Sequence, residues 1–414
     1  HMFAMFGATV LVPALTGLSV SATLLFAGLG TLFFHFLTKG KVPAFLGSSF
    51  AYLAGYAAIA PNGEAALLPY ACVGVAASGL LYLILAALVR GFGANRVMRF
   101  FPPVVTGPII ICIGMTLANS AINNCTGSWD IALVAILTVV IFNIWGKGML
   151  RIIPILLGVL VSYVYAAVTG RVDFSGVASA AWIGLPVKME NTVFSLIGNC
   201  DVNLLVTAII AIMPIAFATM IEHIGDICAI SSTVGSNFIA DPGLHRTLLG
   251  DGLATSIASL FGAPANTTYG ENTGVLALSR VHDPRVIRLA ALYAMVLSFS
   301  PAFAYLVNTI PAAIIGGVSF ILYGMISAIG VRNVVENRVD FTNSRNLIIA
   351  AVILVCGLGF TDGLTFHVGG VTITLTSLAV AAIAGIVLNA ILPGNDFHFG
   401  KSESGDDVAS LGRY

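Results

Sequence analysis

The chain has 414 residues, 58% of them hydrophobic and 9% charged, with a mean hydropathy of +1.00 and a formal net charge of zero. That composition lies outside soluble globular domains and marks a polytopic membrane protein. Balanced charge without a basic run excludes nucleic acid as a partner. No Gly-x-x-x-x-Gly-Lys-Ser/Thr, His-Glu-x-x-His or Gly-x-Ser-x-Gly pattern occurs, which leaves ATP-driven transport and intramembrane hydrolysis without machinery.

The chain opens on His1-Met2-Phe3-Ala4 with no positively charged leader, which reads as the start of a fragment or a cloning remnant. Residues 2–34 hold no ionisable side chain and are long enough for two tightly turned helices, broken near Leu15 to Ser19. Apolar runs at 43–59, 66–89, 100–120, 131–147 and 151–169 complete seven spans within residues 1–170. The interval 171–203, with Arg171, Asp173, Lys188, Glu190 and Asp201, is the longest polar stretch and reads as an extracytoplasmic connector. Seven further runs, at 204–233, 246–261, 265–280, 286–306, 311–330, 346–360 and 373–392, fill residues 204–393. Residues 394–414 form a short polar tail, so no accessory soluble domain is expected.

The expected fold is therefore all-α, with fourteen transmembrane segments. An odd number of spans per half makes the second half enter from the opposite side, which gives a 7+7 inverted repeat. Pro43-Ala44 with Gly47-Ser48-Ser49-Phe50 in the third span is echoed by Pro264-Ala265 with Thr268-Tyr269-Gly270-Glu271 in the tenth. Both stretches break helices, and two broken spans at matching positions are the expected pointer to a transporter site. With both termini in the cytoplasm, sixteen of the eighteen Lys and Arg fall on the cytoplasmic side, and only Arg171 and Lys188 lie outside.

The stretch Gly262 to Gly274 is polar and acidic in an otherwise membrane-apolar chain. Unpaired backbone and a carboxylate at that depth survive only where they line a cavity, and a helix resuming near Asn272 turns its N-terminal amides toward it. The eighth span holds the second anomaly, Thr219-Met220-Ile221-Glu222-His223-Ile224-Gly225-Asp226. Glu222 and Asp226 share one face with Thr219, and apolar residues flank the cluster on both sides. Desolvation raises carboxyl pKa values, so Glu222 and Glu271 facing one cavity are groups that load and release a proton. Proton coupling is the chemistry expected of them, with Asp226 and His223 as further participants.

Two readings stay open for each weaker candidate. His223, about 100° round the helix from Glu222, either touches substrate or packs against a neighbouring helix. Asp251 pairs with Arg246 or lines an exit path, and Tyr323 caps the cavity or satisfies a neighbouring carbonyl. His35, His245, His282, His367 and His398 lie near loops or helix ends and read as solvated. The six cysteines show neither paired nor metal-ligand spacing, so no metal and no cofactor other than a coupling proton is expected.

The string Glu271-Asn272-Thr273-Gly274-Val275-Leu276-Ala277-Leu278-Ser279-Arg280 resembles the signature of the nucleobase-ascorbate transporter family (nucleobase-cation symporter 2), with Ser279 where Thr is usual. Phe3 to Pro13, Pro43 to Phe50, Glu222-His223-Ile224-Gly225 and Asp241 to Arg246 are similar to the same family. A Glu at the head of the signature is similar to its uracil carriers, whereas xanthine and urate carriers typically have Gln there. The resemblance implies a core domain of spans 1–4 and 8–11, a gate domain of spans 5–7 and 12–14, and extended segments within spans 3 and 10. It further implies that Glu222 and Glu271 bond the pyrimidine, that the backbone amides of Phe50 and Gly270 meet its carbonyls, and that Tyr323 faces the site from the gate. The family's best-known uracil carrier has a His at the position of Asp226, so the proton route here departs from that pattern. The expectation is proton-coupled uracil import by alternating access across a bacterial inner membrane, with homodimerisation through the gate. A xanthine or urate symporter, or an anion transporter or channel of the same architecture, is the alternative.

Overall fold

The structure, a computed structural model, describes residues 1–368 and 371–394, with the side chains of Ala178, Glu271, Leu278, Val368, Val371, Thr372 and Ile373 outside the described set. The tail expected over 394–414 lies almost wholly outside it. The first half runs α1 (Met2–Thr16), α2 (Val20–Leu37), β1 (Leu46–Ser48), α3 (Leu53–Ile59), α4 (Leu68–Phe92), α5 (Ala94–Met98), α6 (Pro103–Thr116), α7 (Ala118–Cys125), α8 (Trp129–Ile144), α9 (Met149–Ile152), α10 (Pro154–Val168) and α11 (Ser175–Ser179). The second half runs α12 (Val202–Ile212), α13 (Ala216–Val234), α14 (Leu244–Leu260), β2 (Asn266–Thr268), α15 (Gly270–Ser279), α16 (Pro284–Ser298), α17 (Pro301–Asn308), α18 (Ala312–Glu336), α19 (Ser344–Gly359), β3 (Leu364–Val368), β4 (Val371–Leu375) and α20 (Ser377–Ile391).

Local chemistry sets these boundaries. Gly17, in the left-handed region at φ 80°, ends α1, and the Ser19 side chain accepts from Ala22 N–H to start α2. The apolar run expected over 286–306 is not one straight helix: Ser300 caps a new helix with Pro301 in its first turn, and the two pieces meet at 88°. The run expected over 373–392 is also divided, because β4 pairs with β3 as an antiparallel hairpin before α20 begins. Among the described residues, five helices are long and apolar enough to cross a membrane, or six if the bent pair is one span, and six further apolar helices are shorter.

The helices pack in two neighbourhoods. In one, α14 lies against α4 and α2, α16 against α2, and α12 against α4; in the other, α18 lies against α6, α7 and α8, and α19 against α20 and α6. Close approach through small residues replaces hydrophobic driving force within a membrane. A Cβ added at Gly79 of α4 would sit 2.4 Å from Gly252 O on α14, and one at Gly330 of α18 would sit 2.7 Å from Gly107 O on α6. At the end of α2, Lys41 pairs with Asp241 and holds that carboxyl below its usual range.

Candidate substrate site

The two polar segments singled out in the sequence meet as a two-stranded antiparallel ribbon. Leu46 pairs with Thr268, Gly47 with Thr267 and Ser48 with Asn266. Ser49 N–H donates to Ala265 O (2.9 Å) and Tyr269 N–H to Phe45 O (3.0 Å), so the pairing extends one residue beyond each strand. A strand ladder at this depth satisfies backbone groups that a helix break would otherwise orphan.

Polar side chains anchor the ribbon to four helices. Tyr269 lies over Gly47, where a Cβ would come 2.5 Å from the phenol ring, and its hydroxyl donates to Ser48 O (3.0 Å) while accepting from the Thr9 hydroxyl of α1 (3.2 Å). Leu46 N–H donates to Thr31 Oγ1 of α2 (2.9 Å), and the Asn266 amide donates to Phe26 O (2.6 Å). His35 is not solvated: it is 2% exposed, with Nε2 2.8 Å from Ala44 O at the ribbon's approach. Gly47→Ala is expected to expel the Tyr269 ring and to reduce substrate uptake at least tenfold while the protein still reaches the membrane; uptake equal to wild type at equal surface expression would contradict this ordering role.

The other side of the ribbon meets α13 and α14. Thr268 N–H donates to Asp251 Oδ1 (2.9 Å), and its hydroxyl donates to Asp226 Oδ2 (3.1 Å). His223 Nδ1 lies 3.1 Å from Thr268 Oγ1 and 3.4 Å from Asp251 Oδ1. Because the Thr268 hydrogen is already committed to Asp226, His223 carries its own hydrogen on Nδ1 and shares it between these two oxygens. His223 therefore packs in the protein interior, 1% exposed, rather than lining an open cavity. Asp251 does not pair with Arg246, whose guanidinium donates to Leu37 O (3.1 Å); it is fully buried at mid-helix beside His223.

Glu222 lies on the stretch of α13 bounded by the starts of the two helices that follow the strands. At one end the hydroxyl of Tyr52, the last residue of the turn Phe50–Tyr52, is 3.3 Å from Thr219 Oγ1. At the other, a Cβ at Gly270, the first residue of α15, would sit 3.3 Å from Asp226 Oδ1. Glu222 falls between these contacts on the Thr219–Asp226 face, half-buried and within electrostatic reach of the Tyr52 and Tyr82 phenols. No atom lies within 4 Å of a Cβ built at Gly225, on the same helix, so the face borders open space.

First-turn amides have no intrahelical partner, so Phe50 and Gly270 each open a helix with N–H groups and a positive dipole end. Phe50 is buried with its ring edge-on to Tyr323, centroids 6.0 Å apart, which joins the ribbon's neighbourhood to α18. The Tyr323 hydroxyl is buried without a hydrogen-bond partner at standard distance among the described residues, its neighbour being Ser319 one turn earlier. Glu271 is the second residue of α15, and its side chain lies outside the described residues. Asn272, which follows it, is 1% exposed, and neither amide atom has a hydrogen-bond partner among the described residues. Thr268 stands within the segment read as polar, yet its partners Asp251, Asp226 and His223 lie on other helices, so sequence spacing alone did not single it out.

A polar ribbon whose two strands each lead into a helix start, set in an apolar bundle, is the architecture of a membrane transporter. Solved structures agree at the level of fold. The transmembrane domain of the cyanobacterial bicarbonate transporter BicA aligns with TM-score 0.62 at 16% identity, covering 87% of this chain and 94% of that one. The structure of SLC26A9 aligns with TM-score 0.62 at 12% identity, covering 94% of this chain and 64% of that one.

In sequence, the Permease family profile matches residues 1–366, and the chain belongs to that family. It is 42% identical over 405 residues to the uracil permease of Bacillus caldolyticus, covering 95% of this chain and 90% of that protein. It is 36% identical over 402 residues to the uracil permease of Escherichia coli (strain K12), covering 94% and 89%. A third relative, the putative pyrimidine permease RutG of the same strain, is 38% identical over 405 residues, covering 95% and 88%. The protein is a multi-pass membrane transporter and not an enzyme.

Proposed function

We propose that the protein imports uracil by proton symport. The observation that carries this reading is the ribbon flanked by two helix N-termini and the Glu222–Asp226 face, in a chain 36–42% identical to proteins named uracil permease. Uracil offers two N–H donors and two carbonyl acceptors. Carboxylates on α13 and α15 take the donors, and the first-turn amides of Phe50 and Gly270 take the acceptors. The buried Tyr323 hydroxyl and Asn272 amide supply further polar partners, since a polar group left unpaired in hydrocarbon is costly.

In this scheme Glu222 gains a proton, uracil binds between the two helix starts, and the body carrying the ribbon moves against the body carrying α18. Asp226, bonded to Thr268 and set against Gly270, stands between the proton site and the ribbon. His223 acts as a positioning residue, holding Thr268 and Asp251 together. The fourteen-span inverted repeat, with core spans 1–4 and 8–11 and gate spans 5–7 and 12–14, belongs to the same proposal. So do cytoplasmic termini in a bacterial plasma membrane and a dimer through the gate.

Substrate class is tested by radiolabelled uracil uptake into cells expressing the chain, with excess unlabelled uracil, xanthine, urate or bicarbonate. Uracil alone is expected to compete. Competition by xanthine or urate moves the assignment to purines, and uptake that no nucleobase affects refutes it.

A further inference from the structure

An apolar cavity lies against the same helix that carries Glu222. It has a volume of about 510 Å³ and is bounded by α4, α5, α13 and α20, with Ile84 and Leu88, Phe217 and Met220, and Ile386 among its walls. Every lining residue but one is apolar, and the exception is Arg96 of α5. Leu80, Ile84, Leu88 and Phe92 follow one another at four-residue spacing and are 41–61% exposed, so α4 turns a continuous apolar stripe outward beside the cavity. Met220 and Phe217 form the back wall two and five residues before Glu222, so this groove and the polar site lie close together on one helix.

One cation, Arg96, lines the groove, in a stretch of sequence that is itself basic. Arg90, Arg96 and Arg99 all fall within ten residues, and no carboxylate occurs between Glu64 and Asp130. Arg96 is exposed and forms no ion pair among the described residues. An apolar slot in a membrane protein is filled by hydrocarbon, and a basic side chain at its mouth, at the level where the helix leaves the bilayer, meets a lipid phosphate.

We propose that this groove is a binding site for one anionic phospholipid, with an acyl chain lying between α4, α13 and α20 and the headgroup phosphate on Arg96. A zwitterionic lipid presents the same phosphate, but its own cation offsets the charge that the arginine meets, so it gains less from Arg96. The site joins α20 to α4, which pack in different helix neighbourhoods, with α13 touching both, so the bound chain occupies the seam between them.

The test is native mass spectrometry of the full chain, purified and delipidated in detergent, titrated separately with phosphatidylglycerol and phosphatidylcholine. Wild type is expected to retain one phosphatidylglycerol at concentrations where phosphatidylcholine is absent from the spectrum. Arg96→Gln should weaken the phosphatidylglycerol adduct about fivefold, the worth of one basic side chain near an anionic surface. Ile84→Trp, which fills an exposed part of the groove, should remove the adduct, and Arg151→Gln, at a distant exposed arginine, should leave it intact. Equal retention of both lipids, unchanged binding in Arg96→Gln and Ile84→Trp, or displacement of the lipid by millimolar inorganic phosphate would each overturn the proposal. Thermal melting of every variant, matched to wild type, separates loss of the site from loss of the fold.

Discussion

Glu222→Gln is expected to abolish uphill accumulation of uracil while leaving binding within about tenfold of wild type. Gln keeps a carbonyl acceptor and adds an N–H donor at the same reach, so hydrogen bonding to a ring survives in part, but an amide exchanges no proton at physiological pH. The side chain sits on the stretch of α13 between Thr219, which meets Tyr52, and Asp226, which lies against Gly270, and so a proton it carries is close to both helix starts. In proteoliposomes with an imposed pH gradient, the mutant should equilibrate labelled uracil without concentrating it. Gradient-driven accumulation at the wild-type level would remove Glu222 from the coupling scheme.

Asp251→Ala is expected to be the most destabilising of the polar substitutions. Asp251 and His223 are both fully buried, and the carboxylate also accepts Thr268 N–H. Deleting the carboxylate takes from His223 one of the two oxygens that share its hydrogen, and leaving a buried polar group unsatisfied costs about 1–3 kcal/mol. Here a strand amide of the ribbon loses its acceptor at the same time. Thermal unfolding in detergent should show a clearly lower midpoint than wild type, and uptake should fall with it. Asp251→Asn, which keeps an acceptor at the same place, should recover much of the stability. Equal midpoints for wild type and Asp251→Ala would show that the network contributes nothing to the fold.

Much of this site was legible in one dimension. A polar, glycine- and proline-bearing stretch in an apolar chain can only be excused by a cavity, and the segments so marked, Pro43 to Phe50 and Gly262 to Gly274, contain both strands of the ribbon. The acidic stripe of α13 followed from helical spacing alone. What stayed hidden were contacts across long sequence separations. Asp251 has Arg246 as its nearest cation in sequence, but the fold gives it His223 on another helix. His35 looks like a helix-end residue facing water, and only the return of the chain through Ala44 buries it.

The same limit applies to the backbone. Ser300-Pro301 carries a helix-start signal inside an apolar run, and hydropathy averaged it away, although it marks an 88° turn. The β3–β4 hairpin was missed because its threonines, including the bonded pair Thr365 and Thr374 at 2.9 Å, leave no continuous apolar run to read. Period-two alternation was the signal available there.

The central claim is that proton and uracil move together, and the most direct test is uptake into proteoliposomes of purified protein under an inside-alkaline gradient of one pH unit. That gradient is worth about 1.4 kcal/mol per proton, so one-to-one coupling supports at most about tenfold accumulation. The account predicts accumulation of several fold that collapses to equilibrium when a protonophore is added. Uracil uptake that only equilibrates, with or without the gradient, would contradict it and leave a facilitative carrier in its place.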